Sequence, residues 1–122
     1  MPLIVKVSHH GKGVLRFCVP KHISTKYLWS KNTSFMLYTF EDKVIVVEPT
    51  TDLTITTTFS ADIGNGNKVF YLNPCEGYKV FSFYVPNEIR DKLNLSNVKL
   101  FAVHESGGNS IFLEAFPIGT KN

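Results

Sequence analysis

Two stretches of this chain lie 66 residues apart and share one grammar, and that repeat limits the fold more than any other feature. Residues 17–29 read FCVPKHISTKYLW and residues 83–95 read FYVPNEIRDKLNL. Extended without gaps, the offset sets residues 3–49 against 69–115 with eleven identities in 47 positions, among them Gly11/Gly77, Phe17/Phe83, Pro20/Pro86, Ile23/Ile89, Phe35/Phe101 and Glu48/Glu114. Most other pairs keep character, as with Leu37/Val103 and Val47/Leu113. Matches running through strand, turn, helix and strand in one order predict a duplicated structural unit.

Each copy spells the same outline. LIVKV and KVFYL are strand candidates followed by polar turns ending in glycine, SHHG and NPCEG, after which VLRFCV and VFSFYV return as the second strand of a hairpin. Pro20 and Pro86 have no amide proton for a ladder, so each ends its strand and suits the first turn of a helix. Ile23/Tyr27 and Ile89/Leu93 are spaced i,i+4 and give two short helices, Lys21 to Tyr27 and Asn87 to Leu93, one buried face each. SFMLYTF and VKLFAVH, then VIVVE and SIFLEAF, complete a ββαββ unit through the turns FEDK and ESGGN.

With 122 residues the chain has room for one modest core, not for two independent domains. A lone ββαββ unit leaves sheet edges and half a core exposed, so the two copies are expected to close on each other as an intramolecular pseudo-dimer. The expected organisation is a first repeat over 1–49, a Thr-rich linker over 50–68, and a second repeat with a short tail over 69–122, around one shared core. Within the linker, LTITTTF has the propensity of an edge strand and DIGNGN reads as a flexible turn.

A composition of 43% hydrophobic and 19% charged residues argues for an ordered globular protein. No apolar run approaches a membrane span, and MPLIVKVSHHG turns polar too early for a signal peptide, so a cytoplasmic location is expected. Two cysteines make no disulfide framework; Cys18, between Phe17 and Val19, is expected to be a buried thiol, and the exposure of Cys75 is open.

The second motif, VPNEIRDKLNL after an apolar hairpin and before VKLFAVHESGGNSIFLEAF, closely resembles the AbrB/MazE/MraZ superfamily of swapped-hairpin DNA-binding domains. VPKHISTKYLW with FMLYTFEDKVIVVEP follows the same plan more loosely, and the two-copy arrangement is similar to that of MraZ. The resemblance covers residues 3–49 and 69–115. It implies a mainly β fold, a swapped-hairpin AbrB-like β-barrel of two tandem ββαββ repeats, that holds duplex DNA against one face as a transcriptional regulator. The family commonly carries an arginine four residues before the proline, which is Arg16 in the first copy and Ser82 in the second. The glycine usually beside it is Leu15 and Phe81, and both hairpins are longer than usual. IGTKN follows the second copy closely, so no toxin-neutralising tail is expected.

Charge points to the first copy. The net charge is +3, yet residues 1–49 hold seven Lys and Arg against three Asp and Glu, while 69–115 hold four against five. A DNA face needs cations on a rigid surface spaced to meet phosphates. Lys6, Lys12 and Arg16 belong to the first hairpin, and Lys21, Lys26 and Lys31 lie on or just after its helix; Lys79, Arg90 and Lys92 are the second-copy candidates. Arg16 interrupts an apolar strand, should project to solvent, and carries a planar fork suited to a base edge or phosphate. Adjacent His9 and His10 point to opposite strand faces and can join the basic hairpin tip.

No HxxxH or CxxC spacing asks for a metal, and neither GNGN nor GGN is followed by the Lys-Ser/Thr helix of a phosphate loop. No nucleophile context is present, so no catalytic residue, cofactor or small-molecule substrate is expected. The competing reading is a protein-interaction or structural module on the same barrel that no longer binds DNA. An exposed patch of Tyr27, Trp29, Tyr38 and Phe40 would favour it, and further self-association of pseudo-dimers is open.

Overall fold

The computed structural model describes residues 3–50 and 54–116. The strand and helix order is β1 (Leu3–His10), β2 (Val14–Cys18), α1 (Lys21–Lys26), β3 (Phe35–Phe40), β4 (Val44–Pro49), β5 (Phe59–Gly64), β6 (Asn67–Leu72), β7 (Ser82–Val85), α2 (Asn87–Lys92), β8 (Leu100–Glu105) and β9 (Ile111–Phe116). All strand pairings are antiparallel, in one sheet of order β5-β6-β3-β4-β9-β8-β1-β2-β7 that curls into a half-barrel. The first strand of each copy pairs with the third strand of the other, β1 with β8 and β6 with β3, which is a swapped-hairpin arrangement within one chain.

The register displays the duplication directly. In β2–β7 Phe17 faces Phe83, and in β4–β9 Val46 faces Phe112; both pairs are 66 residues apart, so a pseudo-two-fold axis passes through each. The helices repeat to the residue: Pro20 and Pro86 both cap at φ −56 and ψ 140. Both then end on a left-handed residue, Leu28 at φ 56 and Asn94 at φ 56. Trp29 N bonding to Ser24 O and Leu95 N bonding to Arg90 O, each at 2.9 Å, finish the same helix stop in both copies. Proline fixes the start and a left-handed residue the end, so identical punctuation yields identical helices despite different side chains.

Inward-facing residues from both copies form one core. Leu15, Phe17, Phe35, Leu37, Ile45, Val47, Phe83, Phe101, Ile111 and Leu113 are at most 1% exposed, and Ile23 and Ile89 reach into it from the helices. Aromatic contacts are pseudo-symmetric as well: Phe17 meets Phe101 at 5.8 Å, and Phe83 meets Phe35 at 4.9 Å.

Three expectations change. First, the gapless offset slips in the opening strand: Leu3 pairs with Val103, but Leu37, the counterpart of Val103, pairs with Phe70, so β6 aligns with β1 at 67. Second, VFSFYV does not return as a ladder against KVFYL. Cys75 N to Ser82 O, at 2.7 Å, is the backbone bond seen between the segment after β6 and β7, and the free edge of β6 is taken by β5. Third, the extra strand lies at Phe59–Gly64 rather than over LTITTTF, whose Leu53 is outside the described residues. The turn expected in DIGNGN is a tight two-residue hairpin turn at Asn65 (φ 54) and Gly66 (φ 75). Two consecutive positive φ values match strand twist, which favours this Asn-Gly pair.

Candidate nucleic-acid interface

On the outer side of β1, β2 and β7, alternation puts Leu15, Phe17, Phe83 and Val85 inside and leaves Arg16 and Tyr84 outside. Arg16 and Tyr84 sit directly opposite each other in the ladder, and Ser8 faces Arg16 from β1. Lys6, Ser8 and His10 share that outward face by their two-residue spacing.

Arg16 is held in place. Nη1 donates to Ser82 Oγ at 2.6 Å and approaches Cys18 Sγ at 3.4 Å, Nε donates to His10 Nε2 at 3.4 Å, and the guanidinium lies 4.2 Å from the centre of the Tyr78 ring. Stacking and a short bond to a fully buried serine fix the fork before any ligand arrives. Lys31 donates to the Tyr78 carbonyl at 2.5 Å and lies over Phe81, anchoring the loop that brings Tyr78 to Arg16. Lys79 follows Tyr78 on that loop and is exposed, and Lys12 stands at the tip of the first hairpin with φ 65. Cys18 and Cys75 are both half-buried, so the expected burial of Cys18 is only partial. Burial pushes the Cys75 thiol up, against the pull of Ser82 and Arg16.

Lys6 and His10 thus share a strand face with Arg16, Lys12 lies in the turn of that hairpin, and Lys31 bonds the loop that carries Tyr78 and Lys79. The remaining candidates other than Lys21 have other contacts. His9 turns the other way and donates to the Val98 carbonyl at 2.7 Å. Arg90, 16% exposed, donates to Gly13 O at 2.9 Å and pairs with Asp91, so it latches α2 to the turn of the first hairpin. Lys26 pairs with Glu105 at 2.9 Å, and Lys92 bonds Asn67 and pairs with Asp42 at 3.3 Å. Tyr27 and Lys26 hold the Glu105 carboxyl below its ordinary range. Lys21 is exposed on the first turn of α1 and makes no ion pair among the described residues.

Sequence reasoning missed Tyr78 and Tyr84. The alternation in FSFYV marks Tyr84 as outward once Phe83 is assigned to the core, whereas Tyr78 reaches Arg16 only through the path of a loop. The aromatic patch that would favour a protein-interaction module is largely absent: Trp29 is buried with Nε1 donating to Asn109 Oδ1 at 2.9 Å, and the Tyr27 and Tyr38 hydroxyls donate to Glu105 and Glu48. Phe40 alone of the four is well exposed, at 52%. Among the described residues no cluster of three His, Cys, Asp or Glu could hold a metal ion, and no helix is long and apolar enough to cross a membrane.

No family model, curated protein or solved structure matches the chain.

Proposed function

We propose that the chain is a DNA-binding protein of the AbrB/MazE/MraZ type, a regulator that contacts duplex DNA through the outer face of its first hairpin. The observation that carries this is the fixed guanidinium of Arg16, stacked on Tyr78 and tied to Ser82, on the same face as Lys6 and His10 and near the exposed Lys12 and Lys79. A pre-oriented fork meets a phosphate or a base edge with little further ordering, and neighbouring lysines add non-specific attraction. Lys26 and Lys92, paired with acids, contribute less. The protein-interaction reading is weaker because three of the four aromatics it needs are hydrogen-bonded and mostly covered.

Titration of random and enriched duplexes across salt concentrations tests this. Lys12→Ala with Arg16→Ala should weaken binding at least ~10-fold and flatten the salt slope by about two, as expected for two lost phosphate contacts. No binding by the parent at low salt, or the same affinity in the double variant, would contradict the proposal.

A further inference from the structure

Tyr84 is the one outward side chain of β7 that remains presented, because Ser82 is fully buried beneath Arg16 while Phe83 and Val85 face the core. Tyr84 is 45% exposed and stands directly across the ladder from Arg16. His10 meets it edge-on at 5.9 Å and 78°, and the Tyr78 ring underlies the guanidinium on the same outer surface. Arg16 makes its protein hydrogen bonds through Nε and Nη1, with none from Nη2 among the described residues.

Phosphate binding alone asks for cations and donors, not for rings. In a paired duplex the π-faces of the bases are already stacked on each other, so an exposed tyrosine face finds little there. An unpaired base offers a free face, and stacking on an aromatic side chain beside a cationic groove is the usual way a single strand is held. Tyr84 is rigid, with only two side-chain torsions to order, and is braced by His10.

We propose that Tyr84 is a stacking platform for an unpaired base, with Arg16 engaging the adjoining phosphate, so that this face prefers DNA with exposed bases to fully paired duplex. The inference rests on the DNA-binding reading above.

Fluorescence anisotropy at one fixed salt concentration tests it with three labelled probes: a paired duplex, the same duplex with a central unpaired bubble, and a thymine single strand of equal length. The bubble and the single strand should bind about tenfold more tightly than the paired duplex, in line with the worth of one stacked base. Tyr84→Ala should remove that margin, weakening bubble and single-strand binding more than paired-duplex binding, whereas Tyr84→Phe should keep it. Equal affinity for bubble and paired duplex, or an equal loss on all three probes in Tyr84→Ala, would overturn the stacking role while leaving duplex binding intact. Failure of all three probes to bind the parent would instead remove the DNA-binding reading, and this inference with it. Circular dichroism of both variants separates loss of binding from loss of fold.

Discussion

In the first copy β1 and β2 form a ladder of four residue pairs around a three-residue turn, and Arg16 stands outward in its middle. In the second copy the corresponding β6 and β7 are separated by nine residues, Asn73 to Phe81, of which Cys75 bonds to Ser82 of β7, and β5 is inserted at the edge of β6 where a partner strand would lie. The helices that follow superimpose in sequence number, cap and stop. The contrast separates two kinds of element. Elements that build the shared core are held to one geometry by the pseudo-axes at Phe17/Phe83 and Val46/Phe112, while the outer hairpins are free to diverge. Divergence then supplies a division of labour: the first hairpin carries the arginine, and the opened second hairpin carries Ser82 and Tyr78, which hold it.

The largest expected effect probes the shared axis. Phe17→Ala and Phe83→Ala each remove a ring that is at most 1% exposed, and each should cost about 3–5 kcal/mol in chemical denaturation. Near-equal losses fit two halves with one core; a full loss at one position and a small one at the other would break the equivalence.

The next effect separates two matched pairs on β3–β4 and β8–β9. Tyr38 donates to Glu48 at 2.7 Å, and at the same place in the second copy His104 faces Glu114 at 3.4 Å. Burial first, then the bond to Glu48, pushes Tyr38 up to about 12 from 10.0. A raised folded value means that the folded state keeps the proton longer. Its stability contribution is therefore whole below pH 10 and is lost as pH rises toward about 12. Phenolate absorbance should include a late step toward pH 12 from Tyr38, and Tyr38→Phe should abolish that step and flatten the alkaline fall in stability. An unchanged titration would contradict the pairing.

The smallest effect tests the helix stops. Leu28 and Asn94 share a left-handed backbone, but leucine tolerates it poorly and Leu28 is 87% exposed. Leu28→Asn should raise stability by about 0.5–1 kcal/mol, and Asn94→Leu should lower it similarly. Thermal melts of the two variants moving in the same direction would show that the two stops are not equivalent.

The parts of the fold that were legible in the sequence are those with local causes. Pro20 and Pro86 start helices, i,i+4 apolar pairs orient them, and alternation in VLRFC places Arg16 outside. What was not legible depends on distant partners. The one-residue slip of β6 and the position of β5 are set by pairing with β3 and β6, which no single stretch encodes. The same holds at the candidate site. Arg16 is visible from its strand, but Ser82 and Tyr78 become its supports only when β7 pairs with β2 and the loop before it folds across. Conversely, Arg90 and Lys92 look available as letters, and their contacts with Gly13, Asp91, Asn67 and Asp42 arise only in the folded chain.

The central claim, a symmetric core bearing an asymmetric DNA face, is tested most directly by mapping backbone amide chemical shifts during titration with a duplex. Changes should concentrate in residues 6–16 and 78–84 and be small around Lys26 and Lys92. Comparable changes at Lys92 and Asn67, with the first hairpin left unmoved, would contradict it.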